Sequence, residues 1–193
     1  MSHKLTDELT AALELGVDVK GRRIFLHGDV GEDSIGVAIR AMYLLSDMNE
    51  KEPIELFVTS YGGELDEAFA LHDVTRTIKV PVHTVALGKC MSAAPLLVAC
   101  GQKGKRWASE HTQFMLHDCS LEVGEGSPVA IAAHVDAARA QMVRYAELLA
   151  KYTGKAKGHW TRMFQQRSDK FFSAEEALDW GLIDQIWSEK DVD

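Results

Sequence analysis

Strand-like and helix-like segments alternate three times between Arg23 and Ala99, and this alternation limits the fold more than any other feature of the chain. The apolar run Arg23-Ile-Phe-Leu-His27 reads as a strand ended by Gly28, and Asp33 and Ser34 are N-cap candidates for a helix through Leu45. Ile54-Glu-Leu-Phe-Val-Thr59 reads as a second strand, followed by a turn at Ser60-Tyr-Gly-Gly63. Leu65 to Ile78 has helical character and is stopped by Pro81, and Val82 to Leu87 is the third strand. Gly88 then opens a helix running from about Ser92 to Ala99. This order predicts right-handed crossovers and an α/β core, to which Arg106–Ser109 and Gln113–His117 add two short strands.

Before that core, Leu5, Leu9, Ala12 and Leu13 recur at helical spacing, so the stretch 1–21 is expected to carry a short amphipathic helix closed by Gly16. After His117 the character changes. Ser120 to Ser127 carries Gly124 and Gly126 without a helical period, and Pro128 stands at a first helical position. Val129 to Tyr152 reads as a long helix ended by Gly154, which at 1.5 Å per residue would span roughly 36 Å. A helix of that length is expected to project or to pack on another subunit, hiding Ile131, Val135, Ala138, Met142 and Leu149 in a partner. The capping box Ser173-x-x-Glu176 starts a helix to Trp180, Gly181 stops it, and Leu182 to Trp187 is a last strand. No repeat or linker divides the 193 residues, so one domain spanning 1–193 with an extended arm is expected.

Composition removes whole classes of function. A net charge of −8, without a Lys/Arg block, argues against a nucleic-acid binder, because that affinity rests on counterion release by basic residues. The longest nearly uncharged apolar stretch, Cys90 to Cys100, is too short to span a bilayer. Met1 to Gly21 lacks the apolar core and cleavage site of a signal peptide. Cys90, Cys100 and Cys119 form no even framework and no C-x-x-C pair, which fits reduced thiols in a cytoplasmic setting. No histidine has a ligand partner at zinc spacing, so no metal is expected.

Four places have residues suited to chemistry. Gly62-Gly63 joins a strand to a helix, where glycines let backbone N–H groups approach a ligand; a tight turn needing positive φ is the plainer explanation from the residues alone. Ser92 follows the third strand at the start of an apolar helix, near the positive end of its dipole, with the Ala93 N–H close by; a plain N-cap serine has the same address. His117 ends the apolar strand Phe114-Met-Leu-His, where a side chain emerges from a rigid element into a cleft. Asp169 lies in a loop before the capping box. A Ser–His–Asp triad is one of many combinations these residues allow. Its chain order, Ser then His then Asp, differs from those of chymotrypsin, subtilisin and the α/β-hydrolases.

Taken together, the strings resemble the ClpP family, the proteolytic subunit of the Clp protease, from about Arg23 to Trp187. Thr59-Ser-Tyr-Gly-Gly63 is similar to that family's Asn-Ser-Pro-Gly-Gly turn, and Gly88-Lys-Cys-Met-Ser92 has its glycine-to-nucleophile spacing. Gly104-Lys-Arg-Trp-Ala108 resembles its Gly-Lys-Arg-aromatic strand, and Met115-Leu-His117 its Met-Ile-His. Asp169-Lys-Phe-Phe-Ser-Ala174 and Gly181-Leu-Ile-Asp184 resemble its C-terminal signature. The resemblance implies an α/β, ClpP/crotonase-like fold of repeated ββα units with a projecting handle, here residues 118–154. It implies a serine endopeptidase with Ser92 as nucleophile, His117 as general base and Asp169 orienting the imidazole. Gly63 and Ala93 amides would form the oxyanion hole, and Gly62 with a strand edge at Glu122-Val123-Gly124 would bind extended substrate. It implies no cofactor, ATP entering only through a separate AAA+ unfoldase. The partners implied are unfolded polypeptide and further copies of the chain, stacked as heptameric rings around a chamber.

The sequence also departs from the family. Ser92-Ala93-Ala94 replaces Ser-Met-Gly, His117-Asp118-Cys119 replaces His-Gln-Pro, and Arg167-Ser168 replaces a charged pair before Asp169. Asp118 would either compete with Asp169 for the imidazole or point to solvent. The short segment before the first helix weakens the link to an unfoldase. Two other readings follow: an inactive ClpP-like ring subunit, and an acyl-CoA enzyme of the crotonase type that needs no serine nucleophile.

Overall fold

A computed structural model of the chain describes residues 14–120, 126–166 and 168–187. Eight strands among them form one sheet: β1 (Val17–Asp18), β2 (Arg23–Val30), β3 (Ile54–Gly63), β4 (Val82–Met91), β5 (Arg106–Ser109), β6 (Gln113–Leu116), β7 (Lys170–Phe172) and β8 (Gln185–Trp187). The helices are α1 (Glu32–Met48), α2 (Leu65–Thr77), α3 (Ala94–Ala99), α4 (Pro128–Thr153), α5 (Lys157–Phe164) and α6 (Ala174–Asp179). The sheet runs β1-β2-β3-β4-β5-β8, with β6 on β4 and β7 on β6. Its central pairs are parallel, as strand–helix–strand crossovers require.

Burial follows the apolar pattern. In β2 the buried residues alternate as Ile24, Leu26 and then Val30, and in β3 as Ile54, Leu56 and Val58. The α1 face Ile35, Ala38, Met42 and Leu45 closes the core on one side, with Ala68 and Leu71 of α2 beside it. α3 is buried at all six positions, which is why its sequence is apolar throughout. No helix among the described residues is long and apolar enough to cross a membrane.

Several boundaries differ from the sequence expectation. β2 does not end at Gly28 but continues to Val30 through an irregularity between His27 and Asp29. The cap of α1 is Gly31 rather than Asp33 or Ser34; Ser34 sits in the first turn, accepts from the Gly31 N–H and donates to the Asp29 carbonyl. The expected turn at Ser60–Gly63 is the last part of β3, paired with the end of β2. Nor does β4 stop at Leu87: it runs through Gly88 to Met91, so α3 begins at Ala94 with Ala93 as its cap. Val17–Asp18, just past the Gly16 expected to close the first helix, pairs antiparallel with β2; α5 has no counterpart in the sequence expectation, and β7 lies where a loop was expected around Asp169.

α4 has 26 residues and a Ser127 cap that accepts from the Ala130 N–H. Its buried residues, Ala138, Tyr145, Ala146 and Leu149, begin only in its third turn, whereas Val129 near its start is 80% exposed. Ile131, Val135 and Met142 are partly covered without a partner. The strand edge expected at Glu122, Val123 and Gly124 lies outside the described residues, as do residues 1–13, which hold most of the expected N-terminal helix, and Arg167.

One buried ion pair ties the C-terminal elements to the sheet. Arg106 is 1% exposed; its Nε and Nη2 donate to the Asp184 carboxylate at 2.8 and 2.6 Å, and its Nη1 to the carbonyls of Ala99 and Tyr152. Burial works to raise the Asp184 carboxyl, but hydrogen bonds from Arg106 and Lys103 outweigh it and hold it at about 2, below its ordinary 3.8. A carboxyl depressed in the fold contributes stability that is complete above its ordinary value and is lost as the pH falls toward 2. Asp184→Asn should therefore cost about 3 kcal/mol at neutral pH, because it strands Arg106. Urea melts should show that gap closing between pH 4 and pH 2; a constant gap would mean the carboxylate charge is not what the site uses.

Candidate active site

Strand register brings Ser92, His117 and Asp169 together. β4 changes partner along its length: Thr84–Ala86 pair with β5, and Lys89–Met91 pair with Gln113–Met115 of β6. The second pairing sets Met91 beside Met115, so the next residue, Ser92, donates its N–H to the Met115 carbonyl at 2.9 Å. His117 follows β6 directly. β7 pairs antiparallel with β6 and sets Lys170 opposite Leu116, which brings Asp169 opposite His117.

His117 Nε2 lies 2.8 Å from Ser92 Oγ, a hydrogen bond in which a neutral imidazole accepts the hydroxyl proton. On the other side of the ring, Nδ1 is 3.7 Å from Asp169 Oδ1, within ion-pair reach but beyond a hydrogen bond. The Asp169 side chain is 52% exposed. Asp118 does not contact the imidazole; its Oδ1 accepts from the Cys119 N–H at 2.9 Å. Cys119 lines the same cleft, but desolvation and the Asp118 carboxylate push its thiol up, so it stays protonated near neutral pH and is a poor nucleophile.

Ser92 is held in a left-handed backbone conformation, φ 56°, one of two such non-glycine residues described. That conformation is sterically unfavourable for an L-residue, and it persists because the surroundings over-determine it. Ser92 N–H is fixed to Met115, its carbonyl accepts from Tyr145 Oη at 2.7 Å, and its Oγ meets His117. The bend turns Oγ out into a cleft of about 440 Å³ that Gly63, Glu64, Asp66, His117, Met142 and Tyr145 help to line.

Gly62 and Gly63 form the facing wall. Both have positive φ, 104° and 147°. A Cβ on Gly62 would fall on the Ser92 Cβ and 3.1 Å from the Ala93 nitrogen, and one on Gly63 would meet the Val30 carbonyl. Neighbouring amides are spent inside the fold: Gly62 N–H donates to Ser60 Oγ at 2.9 Å, and Glu64 N–H to the Val30 carbonyl at 2.8 Å. The Ala93 amide, at the cap of α3, precedes the helix and has no intrahelical partner. Ser60 and Tyr145 belong to this constellation without any local signal that would have found them, since a serine in a glycine-rich turn and a tyrosine at core spacing have ordinary explanations. Among the described residues no group of three or more His, Cys, Asp or Glu could hold a metal ion.

The arrangement offers a hydroxyl bonded to an imidazole, a carboxylate on the far side of that ring, and backbone amides beside the hydroxyl. The family model for Clp protease matches residues 13–190, nearly the whole chain. With a mixed α/β architecture of one eight-stranded sheet and six helices among the described residues, the chain belongs to the Clp protease family.

Proposed function

We propose that the protein is a serine endopeptidase that hydrolyses peptide bonds of unfolded polypeptides through Ser92, His117 and Asp169. The observation that carries this reading is the 2.8 Å contact between Ser92 Oγ and His117 Nε2 at the strained bend after β4. Ser92 Oγ attacks the peptide carbonyl carbon while His117 Nε2 takes the hydroxyl proton. The carbonyl oxygen becomes an oxyanion facing the Gly63 and Ala93 amides. Collapse breaks the C–N bond, and His117 returns the proton to the leaving amine. Water, deprotonated by the same imidazole, then releases the acyl group and restores Ser92. Asp169 orients the ring and offsets the imidazolium charge. The residues use no cofactor in this sequence.

Members of the Clp protease family typically form oligomeric rings, and the largely exposed N-terminal turns of α4 suit the same use here. Chamber assembly by copies of this chain, feeding by an AAA+ unfoldase and a cytoplasmic location complete the proposal. The 3.7 Å gap between His117 and Asp169 favours a second reading, a ring subunit whose triad stays silent without a partner.

Intact mass after exposure to a fluorophosphonate, which phosphonylates only activated serines readily, separates the two. One adduct, absent from Ser92→Ala, supports the peptidase. An unmodified wild-type protein supports the silent subunit.

A further inference from the structure

We propose that Tyr145 is a positioning residue for the nucleophile: its hydroxyl, delivered by α4, pins the Ser92 carbonyl and holds the bend after β4 in its reactive conformation. The inference rests on Ser92 being the nucleophile, as argued above, and adds a residue that the triad does not contain. The Ser92 carbonyl needs such a partner. It lies one residue before the cap of α3, so no helix amide returns to it, and it is next to a buried segment where an unpaired carbonyl is costly. Tyr145 Oη donates to it at 2.7 Å.

The donor is itself fixed. Tyr145 is 2% exposed, its ring stacks on Phe164 at a centroid distance of 5.0 Å, and Ala146 and Leu149 anchor the same stretch of α4 in the core. One turn earlier, Gln141 Nε2 donates to Asp66 Oδ1 at 2.7 Å, tying α4 to the start of α2 across the cleft. Burial pushes the Tyr145 phenol far up, helped by the buried Cys90 thiol and opposed by the Leu96 backbone, so the hydroxyl remains a donor at every pH the enzyme would meet. Packing alone does not call for a phenol here. A phenylalanine would fill the same space, and the hydroxyl's partner is the carbonyl of a residue held in the left-handed conformation.

The test is Tyr145→Phe, which keeps the ring and removes only the hydroxyl. Saturation kinetics of fluorophosphonate labelling, followed by intact mass, separate reagent binding from the chemical step. The chemical step is expected to slow about tenfold while the binding constant changes less than twofold, because the hydroxyl aims Oγ without touching the reagent. The thermal midpoint should stay within a few degrees of wild type. A lowered midpoint with an unchanged chemical step would overturn the proposal, since it would make Tyr145 a packing residue. Equal rates in both proteins at equal midpoints would overturn it too. Wild-type protein that takes no adduct would instead overturn the peptidase reading on which the inference rests.

Discussion

Ser92→Gly is expected to abolish peptide cleavage and at the same time to make the fold more stable. The loss of activity follows from removing Oγ, for which serine hydrolases pay on the order of 10⁶-fold in turnover. The gain in stability follows from φ 56° at this position. An L-residue there costs about 1–2 kcal/mol relative to its preferred region, and glycine does not. Against this stand the larger chain entropy of glycine, roughly 0.5–1 kcal/mol, and the lost contact to His117. A net gain of about 0.5 kcal/mol should remain, read as a higher urea midpoint at unchanged slope. Ser92→Ala should lose as much activity without the gain, because alanine keeps the strain. Opposite movement of stability and activity marks a residue held in place for chemistry rather than for packing. Cleavage surviving in both variants would place the nucleophile elsewhere.

Gly62→Ala should fail for two independent reasons. The backbone there has φ 104°, which side chains rarely adopt, and the added methyl would fall on the Ser92 Cβ and 2.7 Å from the Met91 carbonyl oxygen. Neither neighbour gives way easily, since Met91 is paired with β6 and Ser92 is bonded on three sides. The destabilisation is expected to be about 3 kcal/mol or more, combining backbone strain with overpacking. Fluorophosphonate labelling of the folded fraction should drop roughly 10²-fold or more, as when an oxyanion-hole donor is displaced. Wild-type labelling in a folded variant would mean that this wall does not face the reacting atoms.

How far the residues announced this arrangement differs from element to element. The long helix was legible at both ends, because Pro128 and Gly154 act within one turn and need no tertiary partner. The Ser173–Glu176 capping box was legible for the same reason: both hydrogen bonds close locally. Strand ends were not. Gly28 read as a stop and Gly88 as the opening of a helix, yet both lie inside strands, because parallel neighbours reward continued pairing across an irregular residue. α5 is only eight residues long, and although Trp160, Met163 and Phe164 stand at helical spacing, that period is too short to separate it from a loop before its packing against α4 is seen.

The residues by themselves determined the strand–helix alternation, the apolar α3, the Pro128 and Gly154 ends of α4, the capping box of α6, and which serine, histidine and aspartate stand in strings of the Clp protease type. Each depends on periodicity, capping or a short string, and so on neighbours a few positions away. The register of β6 between β4 and β7 was decided only in the tertiary structure, and it brings Ser92, His117 and Asp169 within reach of one another from three separate strands. So were the left-handed turn at Ser92 and the Tyr145 bond that spans it. Strain of this kind cannot be read from a sequence, because a local stretch left to itself would relax it. It exists where pairing on one side and a packed helix on the other leave the backbone no cheaper conformation.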